Sequence, residues 1–431
     1  MNTEIDLNKI IEDCKQSPVY RWSAGDTELN YSPWLCYISV TNMCNSRCRV
    51  CPREYTMRKE QGVMSFAVFK KIVDNLPSSV KKVYLFKQGE PFINKDLAKF
   101  ARYLRSQLPD VFIAVHTNGA LANKKRVEEV LPYIDSLGVS IGSINRETYK
   151  KIHGTDIFDR VIANLKDISE LNYSLNKEKH IFIDYVFQED NAHEPLEDAI
   201  AFFKKYRGLN SVDVHHVFNF QGEIEQGNLN IYDKLDTDKF PTCVYPWSAV
   251  TFLHDGKISY CFVEARENIF MGDINDSSFE DIWNGDEYKL FRKRMYEHDF
   301  KNLTDCGFGC KKCSWLWSMK SQSPKNLSIG YTMGKKYSVS NFDIGDLLEQ
   351  NPLFILEKAS YLIQIGEIHI AMGYLAALVE LYEDSIRDTA TELINICKNV
   401  LKRYGNIGTW KNMLNEEGYS HDEKKTLYHK I

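Results

Sequence analysis

Between position 37 and about position 230 the chain alternates two hydrophobic rhythms. Short runs rich in β-branched and aromatic residues, Tyr37–Thr41, Lys82–Phe86, Phe112–His116, Gly138–Ile141, Ile181–Phe187 and Val212–Val217, predict strands. Ser65–Leu76, Asn94–Gln107, Asn123–Leu131, Phe158–Leu171 and Glu194–Tyr206 lie between them and repeat their apolar residues at helical spacing. Strand–helix repetition of this kind predicts parallel βαβ units and an α/β fold. Six strands predict a partial (β/α)6 barrel of the TIM type, not a complete eightfold one.

From Asp236 to about Ser321 cysteine, glycine and tryptophan become dense while periodicity fades, which predicts a small Cys-rich domain organised by metal. The polar stretch Ser318–Ser340 reads as a connection. Beyond it Ile344–Leu381 and Ser385–Tyr404 carry apolar residues at helical spacing, among them Leu347, Leu348, Leu375, Leu378 and Leu381. The expected organisation is an N-terminal extension (1–35, with Asp6–Cys14 helical), a barrel (36–235), a cysteine-rich domain (236–322), and a linker with a C-terminal helical segment (323–431).

Composition narrows the chemistry. An apolar share of 43%, a charged share of 26% and a net charge of −5 describe an ordinary globular chain with no electrostatic case for nucleic acid or an anionic membrane. Lys124-Lys125-Arg126 and Arg292-Lys293-Arg294 read as solvated helix faces. Met1–Glu12 is acidic and lacks the features of a signal peptide, and no apolar run is long enough to span a bilayer, so a cytoplasmic setting is expected. In a reducing compartment the eleven cysteines point to metal sites before disulfides.

Cys44, Cys48 and Cys51 follow directly on the first strand run. Three thiolates on one loop bind three irons of a cubane and leave the fourth open for a ligand. Structural zinc would need a fourth local ligand, and the next His or Cys is His116. This Cys-x3-Cys-x2-Cys loop after a barrel's first strand resembles the radical S-adenosylmethionine (SAM) superfamily. The resemblance implies a [4Fe–4S] cluster that chelates SAM, cleaves it by one-electron reduction and yields a 5′-deoxyadenosyl radical that abstracts hydrogen.

Further stretches carry the resemblance. Gln88-Gly89-Glu90-Pro91 is similar to the family's Gly-Gly-Glu-Pro, implying that Gly89, Glu90 and Pro91 meet the SAM ammonium. Thr117 and Asn118, in His116-Thr117-Asn118-Gly119, fall where relatives bind SAM. Ser140, followed by Glu147-Thr148-Tyr149 and Ile152-His153-Gly154, resembles a strand-end serine that reaches ribose and carboxylate. Three positions depart from the pattern: Val50 replaces an aromatic residue, Gln88 a glycine, and Gly142 an aspartate, the last expected to open the site. Gln188, Asn191 and Glu194 resemble an Asn-x2-Glu pattern or a helix cap. His153 reads as a structural or surface histidine; His215, His216 and Asn219 read as pocket-lining or as buried and hydrogen-bonded. No catalytic acid or base can be named.

Cys243-x12-Gly256-x4-Cys261, then Cys306-x3-Cys310-x2-Cys313, with Gly272-Asp273-Ile274 and Ile282-Trp283-Asn284 between, resemble the SPASM/twitch auxiliary-cluster domain. A hairpin at Gly256 would bring Cys243 and Cys261 together. The resemblance implies a second [4Fe–4S] cluster on Cys243, Cys261, Cys310 and Cys313; four thiolates would also suit zinc. Cys306 is then a spare thiol, an alternative ligand or a hydrogen donor, while Cys14, Cys36 and Cys397 read as packing residues.

The expected activity is oxidation or epimerisation at an unactivated C–H of a small polar or carbohydrate-type substrate, with an external one-electron reductant such as flavodoxin or ferredoxin. The alternatives are a maturase of a ribosomally made peptide and a non-catalytic iron–sulfur or zinc protein.

Overall fold

The computed structural model describes residues 6–54, 60–77, 80–176, 178–224, 243–313, 352–364 and 368–404. Two helices precede the first strand. Asp6 caps α1 (Leu7–Lys15), and Ser17 with Pro18 opens α2 (Pro18–Ala24), which Gly25 closes in the left-handed region at φ 79°.

The six predicted strand runs fold as β1 (Leu35–Ile38), β2 (Lys82–Tyr84), β3 (Phe112–Thr117), β4 (Ser136–Ser140), β5 (His180–Phe187) and β6 (Ser211–His216). They pair in sequence order and all in parallel. Their crossovers carry α3 (Phe66–Asn75), α4 (Leu97–Gln107), α5 (Lys124–Val130), α6 (Arg146–His153), α7 (Phe158–Ser174) and α8 (Leu196–Phe203). β1 is buried on both faces, as a strand covered by crossover helices must be. α6 alone among these helices escapes the periodicity reading. Eight residues with a narrow buried stripe (Thr148, Tyr149, Ile152, His153) present little apolar signal.

The cysteine-rich region corrects the sequence picture. After α9 (Tyr245–Ser248), β7 (Ala249–Phe252) joins the free edge of β1 in parallel, and β8 (Lys257–Ser259) and β9 (Phe270–Asp273) continue antiparallel. The result is one open nine-stranded sheet, ordered β6-β5-β4-β3-β2-β1-β7-β8-β9. Strand pairing, and not metal alone, therefore organises this region. α10 (Phe279–Trp283), α11 (Asp286–Tyr296) and α12 (Phe300–Asp305) follow.

The N-terminal segment is built into the body. Leu29 exchanges two hydrogen bonds with the Asn284 side chain, Trp283 donates to the Tyr31 carbonyl, and the buried Arg292 donates to Thr27 and Pro246. Among the described residues the C-terminal helices are α13 (Pro352–Gln364), α14 (Ile368–Leu381) and α15 (Asp384–Tyr404), the first two within the run expected to be helical to Leu381. Cys14 of α1 reaches Ser360 of α13 at 3.3 Å, and Lys15 pairs with Glu392 of α15 at 2.6 Å. Cys14, Cys36 and Cys397 are fully buried. The connection Ser318–Ser340, Leu347 and Leu348 lie outside the described residues. Among the described residues no helix is long and apolar enough to cross a membrane.

Candidate functional site

Strand register sorts the sheet into two faces. Ile113, Val115, Leu137, Val139, Ile181 and Ile183 are buried in the core. The alternate positions form rows across the other face: Tyr37, Tyr84, Ala114, Ser136 and His180, then His116, Gly138 and Phe182, then Ser140 and Asp184. His116 and Asp184 keep partial exposure there, at the carboxyl ends of the strands, where α/β barrels bind ligands.

The Cys44–Cys51 loop sits over this end. Cys44 Sγ accepts from the Ser46 amide at 3.4 Å and lies 3.7 Å from Asn118 Nδ2. Asn118 Nδ2 also donates to Asn45 and Ser46, so the loop is tied to the end of β3. Burial pushes the Cys44 and Cys48 thiols up, and for Cys48 its two partner cysteines add to the effect. Thiols this crowded ionise only against a compensating cationic centre. α6 clasps the loop from the other side. Arg47 and Arg49 amides donate to the His153 and Ile152 carbonyls at 3.0 and 2.9 Å, and Arg49 and Lys151 share the buried Asp190.

Gly89 has a steric task, since a Cβ there would lie 2.1 Å from the Thr41 carbonyl oxygen. Glu90 is buried and its carboxylate faces the protein. It accepts from Phe92 N (3.0 Å), Thr117 Oγ1 (2.7 Å) and Asn118 N (2.7 Å), and burial holds its carboxyl above the usual range. Glu90, Thr117 and Asn118 are thus brought together at the strand ends, next to Pro91. Ser140 Oγ donates to Asp184 Oδ2 at 3.2 Å, and His116 Nδ1 stands 3.7 Å from the same oxygen, at ion-pair range. His116 stacks on Phe86 at 4.3 Å, and Tyr37 stacks between Tyr84 and Phe262.

Gly142 does not open the site as the sequence suggested. A Cβ there would meet Ile152 at 3.2 Å, so packing has filled the space. Asn191 is fully buried and bonds the Gly142 and Val186 carbonyls and the Gln188 amide; Glu194 takes the Ser143 hydroxyl. Both hold strand ends together. Asn219 donates to the Lys312 carbonyl; the side chains of His215 and His216 lie outside the described residues.

Cys243, Cys261, Cys310 and Cys313 line one cavity with Tyr245, Tyr260, Phe291 and Met295. Among the described residues no three Cys, His, Asp or Glu side chains gather tightly enough for a single metal ion. The four thiols surround a shared space instead. Burial pushes Cys243, Cys310 and Cys261 up, the last to about 12, and each also feels the charge of its neighbours. A buried, apolar, four-thiol wall fits an iron–sulfur cluster. Cys306 lies outside it, exposed, with Arg294 Nη1 3.1 Å from its sulfur.

One group the sequence reading missed joins the two regions. The buried Lys87 ammonium, beside the Gln88-Gly89-Glu90 turn, donates to the Glu264 carbonyl (2.6 Å) and to Glu267 (3.1 Å), a few residues beyond Cys261. Asp184 was missed as well; an acid on the ligand-facing register of a strand was the available signal.

A model of the radical SAM superfamily matches residues 38–203, and a model of an iron–sulfur cluster-binding domain, SPASM, matches residues 243–314. The chain belongs to the radical SAM superfamily and carries a SPASM-type auxiliary domain. With membership come [4Fe–4S] clusters and SAM as cofactors. The S-adenosyl-L-methionine-dependent 2-deoxy-scyllo-inosamine dehydrogenase of Niallia circulans is 22% identical over 279 residues, covering 64% of this chain and 91% of that one. A probable GTP 3′,8-cyclase of Saccharolobus islandicus is 33% identical over 153 residues, 32% of this chain and 47% of that protein, so the match spans about half the cyclase. The fold is shared with the crystal structure of Streptococcus suis SuiB bound to precursor peptide SuiA, at TM-score 0.50 and 15% identity over 62% of this chain and 67% of that one.

Proposed function

We propose that this radical SAM enzyme oxidises a hydroxyl-bearing carbon of a small polar, carbohydrate-type substrate. The observation that carries the reading is the His116–Asp184–Ser140 group, set among aromatic rings on the ligand-facing side of the sheet. Rings beside convergent polar groups suit the faces and hydroxyls of a polyol better than an extended peptide. The dehydrogenase relative supports the same class by its name.

In this reading Cys44, Cys48 and Cys51 hold the SAM-binding cluster, and Cys243, Cys261, Cys310 and Cys313 the auxiliary one. Once bound, the first cluster and SAM supply reductive cleavage and a carbon radical able to take hydrogen from an unactivated C–H. The chain's own residues do the rest. Gly89 lets the β2 turn close on the cluster loop, and Glu90 fixes Thr117 and Asn118 beside it. The substrate hydroxyl lies against His116 and Asp184, which take its proton. The substrate becomes a carbonyl by losing one hydrogen atom from carbon, one proton from the hydroxyl and one electron; Cys243, Cys261, Cys310 and Cys313 would hold the cluster able to accept that electron. A cytoplasmic flavodoxin or ferredoxin supplies the initiating electron.

Anaerobically reconstituted protein with dithionite, SAM and the aminocyclitol 2-deoxy-scyllo-inosamine as probe tests this. The expected result is 5′-deoxyadenosine above a Cys44→Ala control and a product two mass units lighter. A product of unchanged mass with inverted configuration would replace oxidation by epimerisation, and turnover of a peptide alone would overturn the substrate class.

A further inference from the structure

The Ile152-His153-Gly154 stretch has no task in the reaction above, yet its histidine touches a cysteine of the first cluster loop. His153 is 5% exposed and stacks on Tyr149 at 4.1 Å. Its Nε2 accepts the Gly142 amide at 3.3 Å, and its Nδ1 lies 3.6 Å from Cys48 Sγ. A backbone N–H can only donate, so Nε2 must present its lone pair. The ring proton of the neutral imidazole then resides on Nδ1 and points at sulfur. Gly142, the position that departs from the family pattern, thereby sets the tautomer.

We propose that His153 is a positioning residue of the first cluster, whose Nδ1–H donates to the Cys48 thiolate and raises the potential at which that cluster accepts an electron. Reduction adds negative charge to the cluster and its thiolates, so a donor aimed at one sulfur stabilises the reduced form more than the oxidised one. Hydrogen bonds to sulfur are among the levers a protein has on such potentials. The Gly142 amide and the Tyr149 stack hold the ring, and the Arg47 and Arg49 amides hold the His153 and Ile152 carbonyls, so the backbone that carries the ring is fixed to the same cysteine loop. A Cβ at Gly154 would lie 2.3 Å from the Arg47 carbonyl oxygen, so the turn after the histidine is equally close.

The inference rests on Cys48 as a ligand of the SAM-binding cluster, and Cys48→Ala separates the two. Persistence of the SAM-responsive EPR signal in that variant would remove the ligand assignment itself. The test proper is an EPR-monitored redox titration of the reconstituted full chain with dithionite and SAM, following the signal that SAM perturbs. His153→Phe keeps the stacked ring without the donor. It is expected to shift the reduced-to-oxidised ratio at fixed potential about tenfold toward oxidised, the size of a charge-assisted hydrogen bond and 59 mV for a one-electron couple. His153→Gln, which keeps an N–H donor, is expected to recover most of the shift. His153→Phe with full iron content and an unchanged midpoint would overturn the proposal. Pulsed EPR of the unmutated protein labelled with 15N-histidine serves if the Phe variant loses iron. A nitrogen coupling on the SAM-responsive signal supports the hydrogen bond, and its absence overturns it.

Discussion

Lys87 shows how much one side chain can carry between two sites. Its ammonium is fully buried with Glu267, whose other oxygen takes the Asn42 side chain just ahead of the first cluster cysteine. Lys87→Met would leave a carboxylate buried without its cation, a loss of about 3–5 kcal/mol. The expected outcome is a lower urea midpoint at unchanged m-value, with Lys87→Met/Glu267→Leu regaining most of it; a single variant as stable as the parent would refute the pair's importance. None of this was legible in the sequence, where Lys87, Glu264 and Glu267 look like ordinary solvated charges. The cysteines were legible, because their type and spacing are the chemistry itself. Departures from the family pattern were legible only as departures: Gly142 read as an opening, and packing by Ile152 turned it into a closed contact.

Among the elements, the parallel strands were read to within a few residues, since period and β-branched content both survive in single runs. α6 was not, although its caps are plain: Asn145 accepts the Glu147 and Thr148 amides, and Gly154 ends the helix at φ 63°. A helix this short is held by what it grips. Gly154→Ala meets both a left-handed backbone and the Arg47 carbonyl, so a cost of about 1–3 kcal/mol is expected. The strain falls on the first cysteine loop. Reconstituted Gly154→Ala should therefore lose iron from the SAM-responsive cluster while the auxiliary site stays loaded, as iron analysis with EPR would read. Equal loss from both sites would count against α6 as a local clasp. The β7–β8 hairpin was foreseen from Gly256, but its docking on β1 was not, because pairing between distant strands leaves no mark in either run alone.

At the scale of the whole molecule, one continuous hydrophobic core runs from Ile10 through the barrel and auxiliary region to Val400. The fully buried Trp22 of α2 belongs to it. Trp22→Ala is expected to cost about 3–5 kcal/mol and to lower a single thermal transition, read in parallel by far-UV circular dichroism and by cluster absorbance. Two separated transitions would show instead that the helical segments melt apart from the barrel. The β1–β7 pairing, Leu35 against Ala249, has a consequence in time as well as space. During synthesis at about 5–20 residues per second, the strand beside the first cysteine loop must wait roughly 10–40 seconds for its second neighbour to leave the ribosome. Until then β1 is an exposed edge, and the four thiols of the later site have yet to be assembled. The auxiliary site cannot be complete before Cys313 has been made, and a nascent chain stalled before residue 249 would leave the β1 edge unpaired.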